Sequence, residues 1–269
     1  MPLPERIVCL TEETTETLYL LGEERRIAGI SGYTVRPPRA RREKPRVSAF
    51  SSANTERILA LQPDLVIGFS DIQADIARDL IKCGLNVLVF NQRSVAGILG
   101  MIRTLGAMVG AAERAEKLVS DLESGLEAIR TQAKSLVKRP RVYFEEWDEP
   151  MISGIRWVSE LIDIAGGEDI FPELALSQGA RGRIIADARE VVRRAPDLIL
   201  GSWCGKKFRA EKVRARSGWG EMPAVRDGQL FEIKSAEILQ PGPAALTVGV
   251  RRIHAIVRAW ADAGVTAAA

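Results

Sequence analysis

One short phrase occurs twice in this chain, and the repeat constrains the fold more than any other feature. PDLVIG begins at Pro63, and PDLILG begins at Pro196 in the second half. In both copies a Pro and an Asp precede an apolar run that ends at Gly, which is typical of a buried strand in a parallel sheet. The residues that follow the two copies differ. We infer a duplicated structural unit with similar strands and divergent strand ends.

Length and composition agree with two lobes built from such units. A chain of 269 residues fits one large domain or two lobes of about 100 to 150 residues each. Hydrophobic residues make up 46% and charged residues 27% of the sequence, which is typical of a globular protein. The formal net charge of +3 is small, so no nucleic-acid or anionic-membrane partner is expected.

Cysteine usage and the first residues bear on the compartment. Cys9, Cys83 and Cys204 are an odd number without a CxxC pair, which favours a reducing compartment. The sequence MPLPERIVCL lacks the basic and apolar regions of a secretory signal, and no apolar run of about 20 residues is present. We therefore expect a cytoplasmic protein as written, or a periplasmic one if an upstream signal has been removed, without membrane insertion.

Apolar strands and amphipathic helices alternate along the chain. Predicted strands cover 6–10, 27–31, 64–69, 86–91, 141–147, 197–202 and 229–233. Predicted helices cover 12–22, 55–62, 73–83, 157–167, 187–195 and 244–263, with Thr11 and Asn54 as N-caps. This alternation predicts an α/β fold with mostly parallel sheets covered by helices on both faces, the second half rebuilding the first.

A long helical region is predicted to join the two halves. No Pro occurs between Ala111 and Val137, and one apolar stripe runs along this segment, formed by Leu118, Leu122, Leu126, Ile129, Ala133 and Leu136. Such a helix would span about 40 Å. We expect an N-terminal lobe over 1–93, a connecting helical region over 94–138 and a C-terminal lobe over 139–269.

A basic segment, VRPPRARREKPR, lies between the second strand and the Asn54 helix. Its three prolines exclude a continuous basic helix. A solvent-exposed loop is the first interpretation, and a rim that attracts an anionic ligand is the second.

Together these features resemble a known family. The N-terminal strand with its capped helix, the loop at Gly32 and Tyr33, ERILALQPDLVIG, the long helix and the second APDLILG resemble the class III periplasmic binding proteins. The likeness extends from about residue 6 to 262 and is strongest to the cobalamin-binding proteins of ABC importers, with ferric-siderophore and haem binders as relatives. It implies two Rossmann-like lobes joined by one helix, with a ligand in the cleft between them.

The resemblance also implies where a ligand would bind. Parallel sheets present ligands at the carboxyl ends of their strands, and in the cobalamin binders aromatic side chains line the cleft. Tyr33 lies at the matching loop, and Phe50 matches a family Trp. Three further aromatic residues follow predicted strands of the second half: Trp147, Trp203 and Phe208. For each of these residues, a place in the hydrophobic core is the alternative to ligand contact. The predicted ligand-binding residues are Tyr33, Arg36, Phe50, Phe69, Ser70, Asp71, Arg93, Glu146, Trp147, Arg156, Trp203, Cys204, Lys206 and Phe208.

Charged residues near the expected cleft are compatible with more than one class of ligand. Glu145, Glu146 and Asp148 are candidates to accept hydrogen bonds from corrin amides, or to pair with Arg156; acid/base chemistry is a minor alternative. Four cationic residues near the expected cleft would instead favour an anionic ferric siderophore as the ligand. They are Arg36, Arg93, Arg156 and Lys206.

Docking to a membrane permease is a second implication of the family. One surface Glu on each lobe makes this contact in importers of this type, and Glu56 matches the first. The corresponding position in the second half is Arg189, with Glu190 one residue later, and one step rotates a helical side chain by about 100°. Glu56 and Glu190 are the candidate docking residues, and this departure puts docking to an ABC permease in doubt.

Other chemistry finds little support in the sequence. His254 is the single histidine, which argues against a Ser/His/Asp triad or a multi-histidine metal site. Neither GxGxxG nor GxxxxGK[ST] is present, so no nucleotide is implied. Cys204 beside Lys206 is a candidate reactive or ligand-contacting thiol.

We therefore predict a non-enzymatic small-molecule binder without catalytic residues, a resident metal or a required cofactor. Its ligand is expected to be cobalamin or a related metal chelate. The alternatives are a ferric-siderophore or haem binder, and a cytosolic enzyme or assembly subunit on the same fold.

Overall fold

A computed structural model describes residues 3–266 of the chain and the side chains of residues 3–263. The chain divides into two compact units. Unit 1 contains the chain up to Gln92 together with Ala96–Leu122 and Gln240–Pro243, and unit 2 contains Arg93–Val95, Glu123–Leu239 and the chain from Ala244 onward. Each unit has its own sheet, which confirms the predicted α/β fold.

Unit 1 contains a five-stranded sheet. Its strands are β1 (Ile7–Cys9), β2 (Ile27–Ser31), β3 (Arg46–Ser48), β4 (Leu65–Phe69) and β5 (Val87–Phe90), in the order β3-β2-β1-β4-β5. Every pairing is parallel. β1 is central and fully buried, and the strand order reverses beside it, since β2 lies on one side and β4 on the other. This is the half-Rossmann arrangement that the sequence predicted.

Within residues 3–266, unit 1 contains six α-helices, the last of which belongs to it only in part. They are α1 (Glu12–Leu20), α2 (Ala40–Glu43), α3 (Thr55–Ala60), α4 (Ala74–Lys82), α5 (Val95–Met108) and the first part of α6 (Ala112–Ala133). Asn54 caps α3 as predicted, because its side chain accepts a 2.9 Å hydrogen bond from the backbone N–H of Arg57. Thr11 occupies the N-cap position of α1 as predicted, but its hydroxyl donates to Glu13 Oε1 and does not cap the helix.

The joining helix α6 is shorter than predicted. It follows a turn at Gly110, whose φ is +71°, and its 22 residues span about 33 Å. It ends at Ala133 rather than Val137, where the Ser135 hydroxyl donates to the Gln132 carbonyl and so competes with continued helix. The buried stripe consists of Ala115, Val119, Leu122, Leu126 and Ile129. The helix passes from unit 1 into unit 2 after Leu122.

The basic segment also differs from the predicted loop. Its centre forms the single helical turn α2, which fits between the prolines, and its last residue Arg46 begins β3. Arg36 donates to Glu16 at 2.8 Å, and Arg39 pairs with Glu24. Carboxylates of unit 1 therefore neutralise part of the positive charge.

Unit 2 is not a copy of unit 1. Its strands are β6 (Arg141–Asp148), β7 (Met151–Ser153), β8 (Glu168–Asp169), β9 (Leu198–Gly201) and β10 (Leu230–Glu232). The order is β10-β9-β6-β7, and β8 also pairs with β6. β7 runs antiparallel to β6, whereas β8, β9 and β10 pair in parallel. The prediction that the second half rebuilds the first was therefore correct only for the parallel part.

The helices of unit 2 include two that the sequence located well. They are α7 (Arg156–Ile164), α8 (Pro172–Ala175), α9 (Ala188–Arg194), α10 (Ala210–Arg214), α11 (Pro223–Arg226), α12 (Ser235–Ile238) and α13 (Val250–Thr266). Asp187 caps α9 through a 2.9 Å bond from the Arg189 N–H. Among the described residues, no helix combines the length and apolar character needed to cross a membrane.

The Asn54 cap gives a first prediction. Replacing Asn54 with Ala removes the acceptor for the Arg57 N–H and should lower the free energy of unfolding by about 1 kcal/mol. Urea unfolding followed by circular dichroism measures this change. Ser52→Ala is the control, since Ser52 is exposed two residues earlier. Equal stability of the two variants would contradict the capping role.

Candidate functional site

The carboxyl ends of the unit 1 strands bring several predicted residues to one edge of the sheet. Tyr33 follows β2 and is 56% exposed, and Asp71 follows β4 and is also exposed. Phe69 and Ser70 are buried, and the Ser70 hydroxyl accepts a bond from the Ile72 N–H. Ser70 and Asp71 line a depression of 640 Å³ beside α4 and β5.

Gln73 positions two of the predicted residues and was missed by sequence reasoning. Its buried side chain accepts a 2.9 Å bond from the Phe69 N–H and donates a 2.8 Å bond to the Phe50 carbonyl. Phe50 itself is half-buried. Gly68 is needed beside this amide, since a Cβ there would lie 2.7 Å from Gln73 Oε1. A buried Gln within a polar loop carries no periodicity signal, so only the fold reveals it.

Three glutamates at the start of α1 form the second missed feature of unit 1. Glu12, Glu13 and Glu16 are 7%, 1% and 8% exposed. Burial, followed by repulsion between neighbouring carboxylates, raises the pKa of Glu12 to about 8. Burial also raises the pKa of Glu13 to about 7, although the Thr11 hydroxyl opposes the shift. The run EETTET was the available signal, because charged residues there interrupt the helix's apolar face.

The end of β6 in unit 2 carries a buried and fully paired carboxylate. Glu145 is 0% exposed and accepts bonds from the Tyr143 hydroxyl at 2.9 Å and the Trp203 indole N–H at 2.9 Å. Arg216 adds a bidentate pair at 2.6 and 2.9 Å. Burial, followed by the Glu145 charge, raises the pKa of Tyr143 well above its ordinary value, so the phenol stays protonated and donates.

Glu146 is also held by an arginine, but not by the predicted one. Arg183 donates to its two oxygens at 2.5 and 3.0 Å and to the Ser153 carbonyl at 2.5 Å. Arg156 is exposed and pairs with Glu160 at 2.8 Å, so the predicted pairing of Arg156 with the β6 carboxylates was wrong. Arg156 lies one helical turn before Glu160, and this local partner is closer than any on β6.

Trp147 and Lys206 form the exposed part of the unit 2 strand ends. The Lys206 ammonium lies 4.0 Å from the centre of the Trp147 ring and pairs with Asp148. Trp147 is half-buried, and its indole N–H donates to the Glu149 carbonyl at 2.8 Å. Cys204 is exposed near this pair in sequence. Trp147 thus packs partly against the core of unit 2, and the Lys206 cation lies over its ring.

Trp203 and Phe208 lie in the hydrophobic core of unit 2. They are 3% and 6% exposed, and their rings meet edge to face at 5.0 Å. A Cβ at Gly201 would lie 1.9 Å from the Phe208 ring, so this glycine makes room for the ring. Their burial favours the core alternative over direct ligand contact.

The remaining predicted residues differ in exposure. Arg93 is half-buried and Arg36 is paired with Glu16. Glu56 is exposed on α3, whereas Glu190 pairs with both Arg193 and Arg194 on α9. Hydrogen bonds from these arginines lower the pKa of Glu190. Within the described part of the chain, no group of three or more His, Cys, Asp and Glu is placed to hold a metal.

Comparisons with known proteins agree with this architecture. The family model described as periplasmic binding protein matches residues 7–237. An ABC transporter substrate-binding lipoprotein of Bacillus subtilis is 24% identical over 249 residues, covering 89% of this chain and 76% of the relative. A vitamin B12-binding protein of Vibrio cholerae is 26% identical over 254 residues, covering 91% and 87%. The predicted family resemblance is thus confirmed.

Solved structures give the same fold. The periplasmic vitamin B12-binding protein of Vibrio cholerae superposes with a TM-score of 0.75 at 24% identity, covering 96% of this chain and 98% of that one. A periplasmic haem-binding protein from Roseiflexus sp. RS-1 gives a TM-score of 0.77 at 22% identity, covering 94% and 99%. At these identities the likeness concerns the fold, and the named relatives are binding proteins rather than enzymes.

The buried ion pair of unit 2 yields a stability prediction. Arg216→Gln leaves the buried Glu145 carboxylate without its charge partner, and we expect a loss of about 3 kcal/mol in the free energy of unfolding. Guanidinium unfolding followed by tryptophan fluorescence measures it. Arg214→Gln, an exposed arginine two residues earlier, serves as the control. A loss of unfolding free energy no larger than that of the control would show that the Glu145–Arg216 ion pair does not stabilise unit 2.

The buried glutamates of α1 yield a pH prediction. Between their ordinary pKa of 4.5 and about 8, the folded protein holds protons that the unfolded chain releases, so stability falls as pH rises through this window. We expect a Tm several degrees lower at pH 9 than at pH 6, measured by circular dichroism. The double variant Glu12→Gln/Glu13→Gln should lose most of this slope. Glu113→Gln, on the exposed face of α6, should retain it, and an unchanged slope in the double variant would refute the assignment.

Proposed function

Because the chain belongs to the periplasmic binding protein family, we propose that it binds one small molecule without converting it, and that this molecule is a cobalamin-type corrinoid. Relatives named vitamin B12-binding proteins, at 24% and 26% identity, support the ligand class. The corrinoid is the ligand and not a resident cofactor.

The observation that carries the proposal is that each unit places an accessible aromatic side chain at a strand end, exposed for Tyr33 and half-buried for Trp147. Tyr33 is 56% exposed at the end of β2, and Trp147 ends β6 with the Lys206 cation over its ring. Aromatic side chains at such positions provide large contact area at low entropic cost, which suits a broad, flat macrocycle. Phe50, Ser70 and Asp71 lie beside the same strand ends of unit 1 and belong to the proposed contact surface.

The proposal keeps the expected division of the chain. We propose an N-terminal lobe over 1–93, a C-terminal lobe over 139–269 and a connecting region over 94–138, with candidate ligand contacts on each lobe. In the second lobe the direct contacts are assigned to Trp147, Cys204 and Lys206. Trp203 and Phe208 support the contact surface from the core.

The charge pattern argues against the runner-up, an anionic ferric siderophore. Of the cations expected to attract it, Arg36 pairs with Glu16, Arg156 with Glu160 and Lys206 with Asp148. An anion would have to compete with these local carboxylates. Haem binding has the support of several structures of periplasmic haem-binding proteins, which at 20–22% identity share the fold with this chain.

An enzymatic role is disfavoured by the pairing of the candidate acid/base residues. Glu145 is engaged by Arg216 and Glu146 by Arg183, so neither carboxylate is available for proton transfer. These contacts support a binding protein over an enzyme on the same fold.

We propose an ABC permease as the macromolecular partner, since one relative is an ABC transporter substrate-binding lipoprotein. Glu56 is exposed for such docking, whereas Glu190 is held by two arginines. Docking would then rely on Glu56 in unit 1 and on a different surface of unit 2. Delivery of a ligand to an importing permease requires that the protein be located outside the cytoplasm.

Titration calorimetry tests the proposal. Cyanocobalamin and dicyanocobinamide should bind with one-to-one stoichiometry, and ligand at 100 times Kd should stabilise the protein by about 2.7 kcal/mol. Tyr33→Ala and Trp147→Ala should each weaken binding at least tenfold, or about 1.4 kcal/mol. Trp260→Ala on α13 is the control.

Three results would contradict it. These are binding of haem or a ferric siderophore in place of corrinoids, steady conversion of a corrinoid, and equal affinity of the strand-end variants and the control.

A further inference from the structure

The start of α1 lies where an open parallel sheet is best placed to hold a ligand. α1 follows β1, the central strand, and the strand order reverses beside β1 because β2 and β4 lie on opposite sides. Ligands of such sheets bind at this reversal, outside the carboxyl ends of the strands. Glu12 and Glu13 occupy this position and are nearly fully buried.

Both glutamates carry a buried oxygen that receives no hydrogen bond. Oε2 of Glu12 and Oε2 of Glu13 have no partner among the described residues. The other oxygen of Glu13 accepts the Thr11 hydroxyl at 2.6 Å, and Glu16 is paired with Arg36. A buried acceptor without a donor costs free energy, so these two oxygens call for a donor from outside the helix.

A residue from a different segment adds a third unpartnered acceptor. Gln92 is 7% exposed, and its amide nitrogen donates to the Pro241 carbonyl at 3.0 Å, which leaves Oε1 without a partner. Because a carbonyl oxygen only accepts hydrogen bonds, the Gln92 nitrogen must be the atom that faces Pro241, and the Gln92 oxygen is the atom without a partner. The next residue, Gly242, touches Glu13 so closely that a Cβ would lie 2.5 Å from Glu13 Cβ. Gln92 and Glu13 thus flank the same two-residue segment.

Thr34 supplies a fourth buried oxygen without a partner in the described part of the chain, in a hydroxyl group that can accept and donate. It is 0% exposed, and its hydroxyl has no partner among the described residues. Thr34 lies two residues before Arg36, which is bonded to Glu16 on α1. We call Glu12, Glu13, Thr34 and Gln92 the acceptor cluster. It combines side chains from three segments of unit 1, and acceptor oxygens outnumber donors in it.

A ligand that satisfies the acceptor cluster must bring hydrogen-bond donors. Primary amides and ammonium groups do so, whereas carboxylates and phosphates would place like charge or further acceptors against Glu12 and Glu13. We infer that the acceptor cluster recognises the amide-bearing edge of the ligand, so that the protein selects amidated over carboxylated macrocycles. This inference rests on the proposed corrinoid function and adds the basis of its selectivity.

Two corrinoids that differ only in their side chains test the inference. Dicyanocobinamide carries amides where dicyanocobyrinic acid carries carboxylates, on the same ring and with the same axial ligands. At pH 8.5, calorimetry should give the wild-type protein at least tenfold higher affinity for dicyanocobinamide. Glu13→Gln, which keeps the shape but adds its own N–H donors, should reduce this ratio at least threefold. Glu12→Gln is the second variant, and far-UV circular dichroism verifies folding of both.

Glu113→Gln is the matched control, since it removes an exposed glutamate of the same unit. Its affinity ratio should equal that of the wild type. Equal affinity of the wild type for both corrinoids would overturn the inference while leaving the proposed function intact. A wild-type preference that survives unchanged in both Gln variants would also overturn it, because the preference would then not come from Glu12 or Glu13. Binding of neither corrinoid would reject the inference together with the proposed function.

Discussion

Unit 2 depends on the pairing of one buried carboxylate. Glu145 sits on β6 without solvent contact, and its hydrogen bonds join Tyr143 on the same strand, Trp203 after β9 and Arg216 after α10. A charge can be buried only when donors replace its hydration. This requirement holds the end of β6, the segment after β9 and the segment after α10 around the Glu145 carboxylate. Trp203 and Phe208 pack within the hydrophobic core of unit 2. Lys206 is exposed, and Trp147 is half-buried.

Two buried carboxylates of unit 1 lack such a set of hydrogen-bond donors within the described residues. At the start of α1, Glu16 is paired with Arg36, but Glu12 and Glu13 retain unpartnered oxygens and raised pKa values of about 8 and 7. Glu145 thus has the donors that stabilise a buried charge, whereas Glu12 and Glu13 are short of donors. Unsatisfied groups of this kind reduce stability and are expected where binding is the purpose.

Local signals in the sequence predicted much of the fold and part of the candidate site. The apolar runs became β4 and β9, and Asn54 capped α3, because these features depend on neighbouring residues. The antiparallel β7 was missed because its partner choice depends on the turn after β6. Among site residues, Tyr33 and Trp147 are open to contact, but no sequence pattern shows that Trp203 and Phe208 are buried.

The sequence by itself determined the family, the α/β class and the strand ends, since periodicity, the repeated phrase and a long helix without proline are properties of consecutive residues. The tertiary structure alone decided which carboxylates are paired. Arg216 meets Glu145, Arg183 meets Glu146, and Gln92 comes to lie beside the segment that covers Glu13. These partners are far apart along the chain. Whether a buried charge is satisfied depends on distances of a few ångströms that only packing establishes.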